Sequence, residues 1–144
     1  MKAKLFFVAA ALLLSVAATS TCYAQQTVLA VKIPFAFQDG NRTLPAGEYR
    51  VERVLTGYGS FEQLRQIDGN AVMTVLTMSV ESKTGNQNPE LVFNRYGQTY
   101  FLSQIWTGQA HGRQLFKSDH EKSIAREELR NEIALLLQPT SVSR

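Results

Sequence analysis

The chain has 144 residues, a single cysteine, and fifteen basic against twelve acidic side chains, for a formal net charge of +3. Two of the basic residues, Lys2 and Lys4, fall in the first four positions, and the remainder of the chain carries thirteen against twelve, or +1. That balance excludes the clustered basic footprint that nucleic acid requires, and gives no support to an anionic membrane surface as partner.

The first 26 residues, "MKAKLFFVAAALLLSVAATSTCYAQQ", show a basic start, an apolar run from Leu5 to Leu14, and small residues leading to Cys22-Tyr23-Ala24. This is the build of a secretory signal peptide, residues 1–24, with cleavage expected after Ala24. A membrane-spanning helix needs roughly 20 apolar residues, and Ser15, Thr19 and Ser20 interrupt this run too early; no later stretch is long enough. Cys22 invites a lipoprotein reading, but Thr19, Ser20 and Thr21 precede it, with neither the leucine nor the small apolar neighbour that lipidation uses. Removal of Cys22 with the signal leaves no thiol for disulfides, thiolate metal sites or nucleophilic catalysis. The expected destination is the periplasm or the extracellular space.

The 120 residues after Ala24 are enough for one domain. In "VLAVKIPFAF", Val31, Ile33, Phe35 and Phe37 share one face, which predicts a strand with Pro34 at an edge or bulge. Asp39-Gly40 marks a short turn. In "LPAGEYRVE", Pro45 and Gly47 suit the second and fourth positions of a turn, after which Tyr49 and Val51 face inward. "FEQLRQI" is a weaker strand, because Phe61, Leu64 and Ile67 do not share a parity. "AVMTVLTMSV" reads as one long central strand, apolar on both faces. Glu81 to Pro89 is polar and reads as a mobile loop, while "LVFNRY" and "TYFLSQIW" flank Gly97-Gln98 as a hairpin.

The tail changes period. Ser118-Asp119-His120-Glu121 matches a capping box, and Ala125, Leu129, Ile133, Leu136 and Leu137 fall in a stripe at helical spacing. The expectation is a helix over 119–138, stopped by Pro139, and a disordered tail over 139–144. The single domain is then 25–138: an antiparallel β-sandwich or partly open barrel of about six or seven strands with a C-terminal helix packed on it.

Chemistry-bearing patterns are sparse. "LPAGE" shares only its first two letters with the sortase signal, and Asn41-Arg42-Thr43 fits the glycosylation pattern only in a eukaryotic secretory route. His111 and His120, even with Asp119 and Glu121, match no zinc spacing. No serine sits in a Gly-x-Ser-x-Gly elbow. Glu48, Glu52, Glu62, Glu81 and Glu90 read as solvent-face charges rather than paired catalytic carboxylates. No cofactor or metal is implied, and the chain is expected not to be an enzyme, with an unrecognised hydrolase as the remote alternative. Phe93, Tyr96, Tyr100, Phe101 and Trp106 are either core packing or a binding platform. Tyr58 and Tyr96, each beside a glycine, are expected at exposed turns, so the candidate binding surface is Tyr58, Tyr96, Tyr100 and Trp106.

The stretches "VKIPFAFQDGNRTLPAGEYRVE", "LVFNRYGQTYFLSQIW" and "GRQLFKS", followed by a charged segment, resemble small exported proteins of unknown function from acidobacterial genomes. That group tends to follow Gly-Arg with Glu-Leu-Pro-Lys-Ser, where this chain has Gln114-Leu115-Phe116-Lys117-Ser118. The resemblance implies a Gram-negative envelope and an exported destination, and carries no catalytic residue with it. The expected function is a non-catalytic envelope or extracellular module binding a protein or polysaccharide; the alternative is a small barrel holding an apolar ligand.

Overall fold

The structure, a computed structural model, describes residues 28–56, 59–81, 88–108 and 111–140. The expected signal peptide over 1–24 with Cys22, Tyr58 of the candidate surface, residues 82–87 of the expected loop and residues 141–144 lie outside the described residues.

Among the described residues, twelve strands and one short helix follow in chain order: β1 (Val28–Ile33), β2 (Phe37–Asp39), β3 (Arg42–Leu44), β4 (Gly47–Thr56), β5 (Gly59–Gln66), β6 (Val72–Val75), β7 (Thr77–Glu81), β8 (Glu90–Tyr96), β9 (Thr99–Trp106), β10 (His111–Leu115), α1 (Asp119–Ile124), β11 (Arg130–Leu136) and β12 (Gln138–Thr140). One sheet runs β12-β1-β4-β5-β6. The other runs β11-β8-β9-β10-β7, with the β2–β3 hairpin attached to β9. The two sheets are not closed on one another, so the architecture is an open sandwich and not a barrel. Among the described residues no helix is long and apolar enough to cross a membrane.

The strand count exceeds the expectation because the chain changes sheet inside stretches that read as single strands. Pro34 ends β1 in the first sheet, and after Ala36 the chain enters β2 in the second. A proline there removes a donor where the ladder stops, so it costs nothing. "AVMTVLTMSV" is likewise not a central strand. It divides at Leu76 into β6 and β7, edge strands of different sheets. Met73 and Val75 are buried, whereas Leu76 and Met78 face outward. The apolar character on both parities therefore records a crossing, not a strand covered on two faces.

The core fills the space between the sheets. Val31 and Ile33 on β1, Tyr49 and Val51 on β4, Leu64 on β5, and Met73 and Val75 on β6 face Phe37, Leu91, Phe93, Leu102 and Ile105 from the other side. Phe37 meets Tyr49 at 5.4 Å and Phe93 at 5.5 Å between ring centroids, both edge to face. Such pairs add about 1 kcal/mol each beyond the area they bury. β5 is regular; its alternation was hidden because one inward position holds Glu62 and because Ile67 lies past the strand end. Two-residue turns at Gly40-Asn41 and Gly97-Gln98 join β2 to β3 and β8 to β9. Gly40 and Gly97 have φ of 61° and 54°, a left-handed conformation that other residues adopt at a cost.

"LPAGEY" is a corner. The Tyr49 hydroxyl donates to the Pro45 carbonyl at 2.7 Å, tying the start of β4 to the turn that feeds it, the arrangement known in β-sandwiches as a tyrosine corner. Burial pushes the Tyr49 phenol above its ordinary pKa.

The expected helix over 119–138 is not formed. α1 ends at Ile124, the chain turns, and residues 130–136 become β11, paired in seven-residue register with β8. Leu129 is 90% exposed and Leu136 62% exposed, so the helical stripe is not a buried face. The same segment also alternates: Ile133, Leu135 and Leu137 turn toward the protein while Glu132, Ala134 and Leu136 turn away. The β8 edge, left open on that side, accepts this second pattern, and tertiary pairing overrides helix propensity. The expected disordered tail over 139–144 is corrected at its start, because Pro139 and Thr140 belong to β12, paired with β1.

Candidate functional site

The outer face of the second sheet is covered by the segment running from Phe116 through α1. Ser118 caps α1, its hydroxyl accepting from the Glu121 amide at 3.1 Å, so half of the capping box forms. The Glu121 carboxylate does not return to the cap; it turns inward and is 3% exposed. Its Oε1 accepts from Asn94 Nδ2 at 2.7 Å and from the Tyr96 hydroxyl at 3.2 Å. Lys117 Nζ donates to the same tyrosine oxygen at 3.2 Å and sits 5.9 Å from the ring centroid. Asn94 Oδ1 is buried without a partner. His120 packs on Phe101 at 5.7 Å between ring centroids.

The other side of Glu121 opens on a groove of about 280 Å³. The groove arises from the way β9 shares one edge. Its N-terminal half pairs with β2 at Gln38–Phe101, its C-terminal half pairs with β10 at Gln104 and Ile105, and Phe101 and Leu102 line the groove. Met73 and Val75 of β6 and Leu115 of β10 supply apolar walls, and Leu76 and Phe116 also line it. Leu115 pairs with Thr77, so Leu76 and Phe116 follow as neighbours at the end of the β7–β10 ladder, 70% and 63% exposed. Two large apolar side chains held side by side in water at the mouth of a groove are a binding feature more than a folding one.

The candidate surface of Tyr58, Tyr96, Tyr100 and Trp106 is not assembled. Tyr58 lies outside the described residues. Tyr96 is buried on Glu121, although it adjoins a turn. Tyr100 is half-buried and stacks on Phe35 at 3.9 Å between centroids, with Arg95 over its ring at 5.6 Å. Trp106 is buried, donates from Nε1 to Gln104, and lies against Gly112.

The carboxylates also separate. Glu48 lies opposite Lys32, Glu52 is bridged by Arg50 at 2.6 Å, and Glu81 lies 4.0 Å from His111. Glu62 is not a solvent-face charge: it is 2% exposed, 2.9 Å from Arg53 Nε and 3.8 Å from Arg113 Nε. Since Arg53 and Arg113 come from different sheets, Glu62 ties one to the other. Among the described residues, no three acidic, histidine or cysteine side chains converge as metal ligands. Sequence reasoning missed Glu121, and the only signal was its third position in the capping box.

A second groove of about 400 Å³ lies where β11 and β12 meet β1, with Ile67, Leu135 and Pro139 among its lining. Among the described residues, it has no buried charged side chain. Together, the fold and the first groove define an open two-sheet β-sandwich with one polar-based, apolar-mouthed cleft. No protein-family model, curated protein or solved structure matches the chain.

Proposed function

We propose that the chain is an exported, non-catalytic module of the periplasm or extracellular space that binds a protein through the groove between β2 and β10. The observation that carries this reading is the exposed Leu76–Phe116 pair at the mouth of the groove. A polypeptide supplies apolar side chains to cover such a pair. A polysaccharide would instead use flat aromatic faces, and Tyr96 and Trp106 are buried while Tyr100 is stacked. The open sandwich likewise gives little support to a barrel enclosing an apolar ligand. The export signal and the resemblance to acidobacterial exported proteins support the compartment.

The test is site-specific photo-crosslinking in the source organism, with benzoylphenylalanine at Leu76 or Phe116 and, as control, at Gln138 on β12, which is exposed and lines the second groove instead. The expected result is one protein adduct from both positions in the first groove and none from Gln138. Retention on envelope polysaccharide that survives Leu76→Ser and Phe116→Ser, with no protein adduct, would overturn the reading. Intact mass of the exported protein tests the compartment: a chain beginning at Gln25 is expected, and a diacylated Cys22 would refute the soluble form.

A further inference from the structure

We infer that the groove takes a polypeptide segment presenting a basic side chain between apolar ones, and that Glu121 selects the basic residue. This rests on the groove being the binding surface. Two carboxylates, Asp39 and Glu121, line it, and no lysine or arginine does. Asp39 is already neutralised by Arg42 Nη2 at 2.7 Å. Glu121 differs. Among the described residues, no Lys, Arg or His nitrogen lies within 4.0 Å of its carboxylate, and its two hydrogen bonds come from the neutral donors of Asn94 and Tyr96, both on Oε1.

A carboxylate removed from water and held only by neutral donors gains more from a cation than an exposed one does, because the medium around it screens less. It is also pre-oriented. Asn94 and Tyr96 are each about fully buried and fix the carboxylate, so a ligand ammonium pays little to organise its acceptor. Met73 and Leu115 provide apolar walls beside this charge, and Leu76 and Phe116 cover whatever flanks the cation. Lysine flanked by leucine and phenylalanine meets each of these surfaces with its own chemistry.

The experiment uses the full exported protein and fluorescein-labelled peptides Ala-Leu-X-Phe-Ala, in which X is lysine, norleucine or glutamate, read by fluorescence anisotropy. The lysine peptide is expected to bind about tenfold more tightly than the norleucine peptide, as a charge-assisted hydrogen bond in a screened site implies. Raising salt from about 50 mM to about 500 mM should narrow the difference only modestly, because a buried pair is screened less than an exposed one. Glu121→Gln keeps an acceptor for Asn94 and Tyr96, and should bring the lysine peptide to the norleucine level without weakening norleucine binding. Asp39→Asn, which leaves Glu121 untouched, should have a smaller effect. Equal binding of lysine and norleucine, with both lost in Leu76→Ser, would overturn the selection by Glu121 and leave the groove as the binding surface. Binding of all three peptides that Leu76→Ser and Phe116→Ser leave unchanged would overturn both readings.

Discussion

Replacing Glu121 with alanine tests whether the buried carboxylate organises the outer face of the second sheet. The substitution removes the one acceptor shared by Asn94 Nδ2 and the Tyr96 hydroxyl, in residues that are each 1% exposed. A buried donor left without a partner costs about 1–3 kcal/mol. Two of them give roughly 2–6 kcal/mol, and release from desolvating the carboxylate offsets part of that, so about 3 kcal/mol is expected. Lys117 cannot compensate, because its ammonium is itself a donor to Tyr96. In urea, with m of about 1–1.5 kcal/mol/M for a domain of this size, the midpoint should fall by about 2–3 M while m is unchanged. Trp106 is the only tryptophan, so its fluorescence reports the transition. A cycle with Asn94→Ala should show coupling of about 1.5–3 kcal/mol, the range for a hydrogen bond to a charged group. A Glu121→Ala unfolding free energy within about 0.5 kcal/mol of wild type, or strict additivity with Asn94→Ala, would refute the reasoning.

Gly112→Ala would set a methyl group 2.6 Å from the Trp106 ring, so a loss of about 1–3 kcal/mol and a red-shifted Trp106 emission are expected; wild-type emission and stability would show that the two do not abut. Tyr49→Phe should cost about 1 kcal/mol through loss of the bond to Pro45. Because burial raises the Tyr49 pKa above 10.0, the fold favours the neutral phenol: its contribution is complete below that value and declines as pH rises through the folded pKa. Stability measured by urea titration from pH 9 upward should therefore fall less steeply in Tyr49→Phe than in wild type. Ser118→Ala should lower stability by about 1 kcal/mol, read as a melting shift of about 4 °C, with Ser118→Gly nearer wild type. Glu62→Gln should weaken the tie between Arg53 and Arg113 and lower stability by about 1–2 kcal/mol, measured by thermal melting.

Where side chains alternate and one face is buried, the fold could be read directly: Val31, Ile33 and Phe37, then Tyr49 and Val51, are inward as their parity indicates. Reading failed where a local pattern served two structures. The segment from Ile133 to Leu137 satisfies both a helical stripe and a strand, and only the open edge of β8, distant in sequence, decides between them. Crossings between sheets were hidden for a related reason, since Leu76 interrupts nothing in composition although the chain passes there from the edge of one sheet to the edge of the other. Glu62 was read as a surface charge, because carboxylates usually are, and Glu121 as a member of the capping box; their burial depends on Arg113, Asn94 and Tyr96, partners that lie 27 or more positions away in two of the three cases. The groove was invisible for the same reason, because β6, β9 and β10 each contribute only a few side chains to it.

The pairing of β12 with β1 has a consequence for the order of folding. β1 is the first described strand and β12 the last, and Val28 lies opposite Thr140. β11, just upstream, closes the β8 edge of the other sheet. A chain emerging N-terminus first from the ribosome therefore holds both sheets incomplete until the residues up to Thr140 are free. Until then β1 and β8 each present an unsatisfied backbone edge, a surface on which a holding chaperone can act and another copy can aggregate.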